Sequence, residues 1–169
     1  ISVFTETRQK GQLMALGHGQ WESLLSIIDS GCTVPVAPAS IGQGYDTIEG
    51  ESAKAGVTYA QADGTELPNL GEKVMAVMTQ EGTLRGYKTQ LADVTRALQS
   101  VRALLKSKHS VIFDDEGSYI VNKVTGEYNQ IMDDGINYLM QQWIVPPDQV
   151  QMVMENLAQN EADFGRQAS

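Results

Sequence analysis

Ile27-Ile28-Asp29-Ser30-Gly31-Cys32-Thr33 is the stretch on which the reading of this chain turns. An apolar, strand-like run from Trp21 to Ile28 delivers a carboxylate at its end, and a hydroxyl residue, a glycine and small residues follow. Gly31 permits a tight turn that brings a backbone N–H close to the carboxylate. Ser30, or Thr33 beyond it, can donate a further hydrogen bond to the loop. The same pattern also fits an ordinary Asx-type turn leaving a strand, so the flanking sequence has to decide.

Moving outward, Val34 to Pro38 is short, apolar and proline-punctuated, a brief strand. Residues 39–56 hold Gly42, Gly44, Gly50 and Gly56 and read as a long mobile loop. Val57 to Ala62, Lys73 to Thr79 and Leu84 to Leu91 are strand candidates, with Asp63-Gly64 and Glu81-Gly82 as hairpin turns between them. The period then changes. Val94, Leu98, Val101 and Leu105 share one face of an amphipathic helix over 94–105, with Asp93 as its N-cap. Val111–Phe113 and Tyr119–Asn122 form a hairpin about Asp115-Glu116-Gly117, and Tyr138 to Val145 is a last apolar run stopped by Pro146-Pro147. Val150, Val153, Met154 and Leu157 give a second amphipathic helix after the prolines. The organisation is a leader over 1–20, a β-rich domain over 21–145, and over 146–169 a linker, a terminal helix and a loose polar tail. Met75, Met78, Met152 and Met154 read as core or interface filler.

The 169 residues carry 12 basic and 21 acidic side chains, a net charge of −9, which argues against a protein that grips nucleic acid through phosphates. An apolar share of 41% is enough for a core. No apolar run approaches a membrane span. A single cysteine, Cys32, with only His18 and His109 beside it, excludes a disulfide framework and a zinc finger and fits an intracellular, cytoplasmic or nuclear setting. The chain opens at Ile1 without a signal peptide, as a processed product or part of a longer polypeptide would. Charge is uneven: residues 85–108 hold six basic residues against Asp93, and residues 109–169 hold ten acids against Lys123 and Arg166. A solvated helix face beside an acidic tail accounts for this better than a docking surface. Cys32 with His109 as a thiol–imidazole pair, and Asp114-Asp115-Glu116-Gly117 as a calcium loop, are both weaker than their structural readings.

The order of features is informative. Asp29-Ser30-Gly31 is followed by a glycine-rich loop and then by Ala62-Asp63-Gly64-Thr65-Glu66-Leu67-Pro68 with Gly71. Leu91-Ala92-Asp93-Val94 and Leu98-Gln99-Ser100-Val101-Arg102-Ala103-Leu104 come next, then Val111-Ile112-Phe113-Asp114, Gly117-Ser118-Tyr119-Ile120 and Lys123-Val124-Thr125-Gly126. Over roughly residues 21–145 this succession resembles the protease region of copia-type retrotransposon polyproteins, a branch of the retropepsin-like aspartic proteases. The resemblance implies a mainly-β, closed antiparallel barrel with one helix, here followed by a C-terminal helix. It implies Asp29 as the catalytic residue, Ser30, Gly31 and Thr33 as support for its loop, and Asp63 and Gly64 at the turn of a flap over bound peptide. It further implies a homodimer, a peptide or polyprotein substrate, and no metal or other cofactor. Retropepsins usually carry a glycine just before the helix, where this chain has Leu98-Gln99-Ser100, and the stretch 39–56 has no counterpart in them. The alternative is a catalytically inactive, domesticated descendant serving as a structural subunit of a larger protein assembly.

Overall fold

A computed structural model describes residues 20–168; residues 1–19 of the leader segment, His18 among them, lie outside the described residues. In chain order the elements are β1 (Glu22–Asp29), β2 (Val36–Pro38), α1 (Glu51–Lys54), β3 (Thr58–Ala60), β4 (Glu66–Pro68), β5 (Glu72–Thr79) and β6 (Leu84–Ala92). They continue with β7 (Ala97–Ser100), α2 (Val101–Lys106), β8 (His109–Ile112), β9 (Ser118–Asn122), β10 (Tyr128–Asp133) and β11 (Tyr138–Ile144). A 3-10 turn, Pro147–Gln149, then leads into α3 (Val150–Ala168).

Six strands pair in the order β1-β7-β2-β6-β5-β11, and β11 returns to β1, so the sheet closes into a barrel. The protein is mainly β, with a closed six-stranded barrel and a C-terminal helix, as expected. Two of the seams, β1–β7 and β2–β6, are parallel and the others antiparallel. From β11 the sheet runs on through β10, β9 and β8, while β3 and β4 make a separate hairpin.

The period-2 alternation of β1 sends Leu24, Ser26 and Ile28 inward and leaves Ser23 and Leu25 exposed. On β5, Met75 and Val77 face the core while Val74 is exposed. Leu24, Met75, Val77, Tyr87 and Ile144 fill the barrel. A second cluster, Ile28, Leu104, Ile120, Ile131 and Met140, joins α2 to the β9–β11 extension. A third seats α3: Val153 is fully buried against Trp21, Met78 and Val145.

Several local expectations need correction. The 94–105 segment is not one helix: Ala97–Ser100 is a strand, α2 begins only at Val101, and its N-cap is Ser100 rather than Asp93. Parallel pairing with Ser26–Asp29 overrides the local 3.6-residue period there. The basic stretch 85–108 is therefore spread over β6, β7 and α2 and presents no single helix face. The 39–56 loop is pinned rather than free. Lys73, buried, donates to the Ile41 carbonyl at 2.6 Å, Gly42 N donates to Glu22 at 2.7 Å, and Ile48 bridges to Glu72. The Asp63-Gly64 turn joins β3 to β4 rather than to β5. The expected loose tail is helical, since α3 continues to Ala168. Met75 and Met78 are core, whereas Met152 and Met154 are exposed on α3.

Candidate active site

Asp29 is the last residue of β1, a strand held on both edges. The β11 ladder reaches Ile27, and the parallel β7 ladder sets Asp29 opposite Ser100. With its backbone fixed, the carboxylate turns back on its own loop, where Oδ1 accepts the Gly31 N–H at 2.7 Å. A Cβ on residue 31 would lie 3.2 Å from that oxygen, so glycine gives the carboxylate its room. Ser30, Gly31 and Thr33 are all exposed.

The hydroxyls expected to brace this loop do not. Asp29 takes its hydrogen bond from the Gly31 backbone, and neither Ser30 nor Thr33 donates to it. The brace comes from Ser100, in the segment where retropepsins usually carry a glycine. Its side chain is fully buried, and Oγ donates to the Cys32 carbonyl at 2.6 Å while accepting the Ala103 N–H at 3.1 Å. One hydroxyl thus ties the Asp29 loop to the first turn of α2. The available signal was a serine just before a helical run, the N-cap preference. Cys32 Sγ donates to the Val34 carbonyl at 2.6 Å, completing the turn. Burial, with Asp29 nearby, pushes the Cys32 thiol up from its ordinary value, the opposite of an activated nucleophile. His109 engages Arg85 and Ser107 instead, so no thiol–imidazole pair forms.

The β3–β4 hairpin projects as its own small sheet, almost wholly exposed. At its tip Asp63 Oδ1 accepts the Thr65 N–H at 2.9 Å, which holds that carboxyl below the usual range, and Gly64 takes φ +85°. Asp63 and Gly64 bond only within the hairpin and are not joined to Asp29. The root is anchored by a polar relay. Asn69 Nδ2 donates to the Tyr59 hydroxyl (2.8 Å) and to Gln90 Oε1 (2.9 Å), and Gln90 Nε2 donates to Glu72 (3.0 Å). Burial pushes the Tyr59 hydroxyl up, with smaller through-space contributions from Cys32 and Glu72. Gly71 closes the root at φ +118°, where a Cβ would meet the Ile48 carbonyl at 2.9 Å.

Among the described residues no group of three or more His, Cys, Asp or Glu side chains could hold a metal ion. Asp114 and its neighbours form a plain turn, with Asp114 Oδ1 accepting the Glu116 N–H. No helix among the described residues is long and apolar enough to cross a membrane. Comparison with known proteins finds no matching family model, no matching curated protein and no matching solved structure.

Proposed function

We propose that this chain is an aspartic endopeptidase of retroelement origin that works in an intracellular compartment as a homodimer. The observation that carries the reading is the Asp29 carboxylate, set at a strand end, holding a Gly31 N–H in a loop braced from α2 by Ser100. Each chain has one Asp-Ser-Gly and supplies half a site. Two Asp29 carboxylates facing across a two-fold axis share one proton, because like charges that close cannot both ionise. The ionised partner draws a proton from a water that attacks the peptide carbonyl, and the protonated one hydrogen-bonds the carbonyl oxygen. The projecting β3–β4 hairpin, with Asp63 and Gly64 at its tip, would serve as the flap over an extended peptide. A retroelement polyprotein is the natural substrate class.

The test compares wild type with Asp29→Asn for peptide cleavage, pepstatin sensitivity and sedimentation. Cleavage that is pepstatin-sensitive and falls roughly 10³-fold or more in the variant, with the dimer retained, is the expected result. Cleavage that survives the substitution overturns the assignment. A second reading, an inactive descendant acting as an assembly subunit, is favoured by α3, which buries Val153 but leaves Met152 and Met154 exposed. Absence of cleavage together with stable incorporation into a larger complex through α3 would select it.

A further inference from the structure

On the opposite side of β7 from the Asp29 loop lies a cavity of about 550 Å³, between β6, β7, α2, β8, β9 and β11. That volume falls within the range of small-molecule sites. Successive strand residues point to opposite faces, so Ser100 braces the loop while Gln99 lines the cavity. Its apolar wall includes Leu84, Tyr87, Leu104 and Met140. Its most buried polar side chains are Gln99, His109 and Gln142, exposed by only 7%, 9% and 3%, with Arg85 beside them; Lys88, Asn122 and Glu127 also line it. Arg85 Nη2, Gln99 Oε1 and Gln142 Oε1 are buried without a hydrogen-bond partner.

The protonation pattern around Arg85 follows from its chemistry. A guanidinium only donates, so His109 Nε2, 2.9 Å from Nη1, accepts. His109 is therefore neutral with its proton on Nδ1, which donates to Ser107 Oγ at 3.0 Å, and Ser107 donates onward to the Leu104 carbonyl. No carboxylate among the described residues lies within 4 Å of Arg85; Glu81 and Glu127 act on it only through space. One arm of the guanidinium is spent on His109. The other, with the two amide oxygens, lies unmatched beside an apolar wall, an arrangement that costs free energy unless a partner answers it.

A guest that answers all of these groups has a carboxylate for Arg85, an N–H for the amide oxygens, and an apolar side chain for Leu84, Leu104 and Met140. Rotation about χ3 of Gln99 or Gln142 selects which end of the amide meets it. We propose that this cavity binds the carboxyl-terminal apolar residue of a peptide, or the same unit as a free N-acylated amino acid. The site is separate from the Asp29 chemistry and does not depend on cleavage.

The test titrates the full chain with N-acetyl-leucine, N-acetyl-leucinamide and a pentapeptide ending in free leucine. Side-chain amide resonances of Gln99 and Gln142 and the Met140 methyl are followed by NMR. N-acetyl-leucine and the peptide should shift these signals saturably, and the uncharged amide should bind at least about tenfold more weakly. Tighter binding of the peptide assigns the site to chain ends, and equal binding assigns it to the single unit. Arg85→Gln should weaken both at least about tenfold. Should that variant not fold, Ala103→Leu, which fills the cavity from α2, should abolish the shifts while the remaining spectrum is kept. Unmoved signals at about 10 mM, equal binding of the amide, or unchanged binding in Ala103→Leu would each overturn the proposal.

Discussion

Ser100 holds two otherwise separate parts of the molecule with one oxygen. Its replacement by alanine leaves the Cys32 carbonyl and the Ala103 N–H unpartnered in a buried setting. Ser100→Ala should cost about 1–3 kcal/mol, read as a lowered denaturant midpoint at unchanged slope. Any cleavage activity should fall further than this loss of stability explains, because the Asp29 loop loses its brace. Gly31→Ala is a finer probe. The added methyl presses on Asp29 Oδ1 without removing a hydrogen bond, so fold stability should change little while cleavage falls at least about tenfold. Equal activity in Gly31→Ala and wild type would show that the carboxylate has room to spare. At this scale the sequence pointed to Asp29 and Gly31, because a strand end, an acid and a glycine lie within three residues. It missed Ser100, whose role depends on a residue 68 positions away.

Among the elements, those with period-2 alternation and a nearby partner were legible: β1, the β5–β6 hairpin and the β8–β9 hairpin all lie where the pattern placed them. β7 was hidden because its partner, Ser26–Asp29, is distant in sequence and its own residues also fit a helical period. β10 went unread for another reason. Its inward positions are Asn129 and Ile131, and Asn129, 1% exposed, donates through Nδ2 to Glu81 at 2.9 Å while its Oδ1 has no hydrogen-bond partner. A buried amide breaks the apolar alternation that announces a strand. The projecting hairpin depends on its polar root, so Asn69→Leu, which unpartners Tyr59 and Gln90, should speed amide exchange at Tyr59 and Leu67 by about tenfold while leaving the barrel amides unchanged. Unaltered exchange would mean that the backbone bond from Leu70 to Leu91 suffices to hold the root. The terminal helix is held chiefly by Val153. Val153→Asp buries an unpaired charge against Trp21 and Met78 and should release α3, seen as a red-shifted tryptophan emission and a loss of helical signal with the sheet intact.

For the whole molecule, the Arg85–His109–Ser107 chain ties β6 to β8 and makes the fold sensitive to mild acid. Burial, together with the Arg85 charge, holds the His109 imidazole below its ordinary value of 6.5. The unfolded chain therefore binds more protons in the interval between the lowered value and 6.5, so stability falls as the pH drops through that interval and is flat above it. Denaturant midpoints between about pH 5 and 7.5 should slope in wild type and lie nearly flat in His109→Gln. Parallel slopes would remove His109 as the cause. The barrel's closure carries a consequence for the life of the chain. β1, which bears Asp29, pairs only with β7 and β11, so Glu22 waits for Ile144 before its strand has both neighbours. Pairings this distant in sequence form late and slowly. A chain emerging residue by residue during synthesis thus carries an unassembled Asp29 loop until most of the barrel has been made. The proposed cleavage therefore needs the ring closed in each chain before two Asp29 loops can meet.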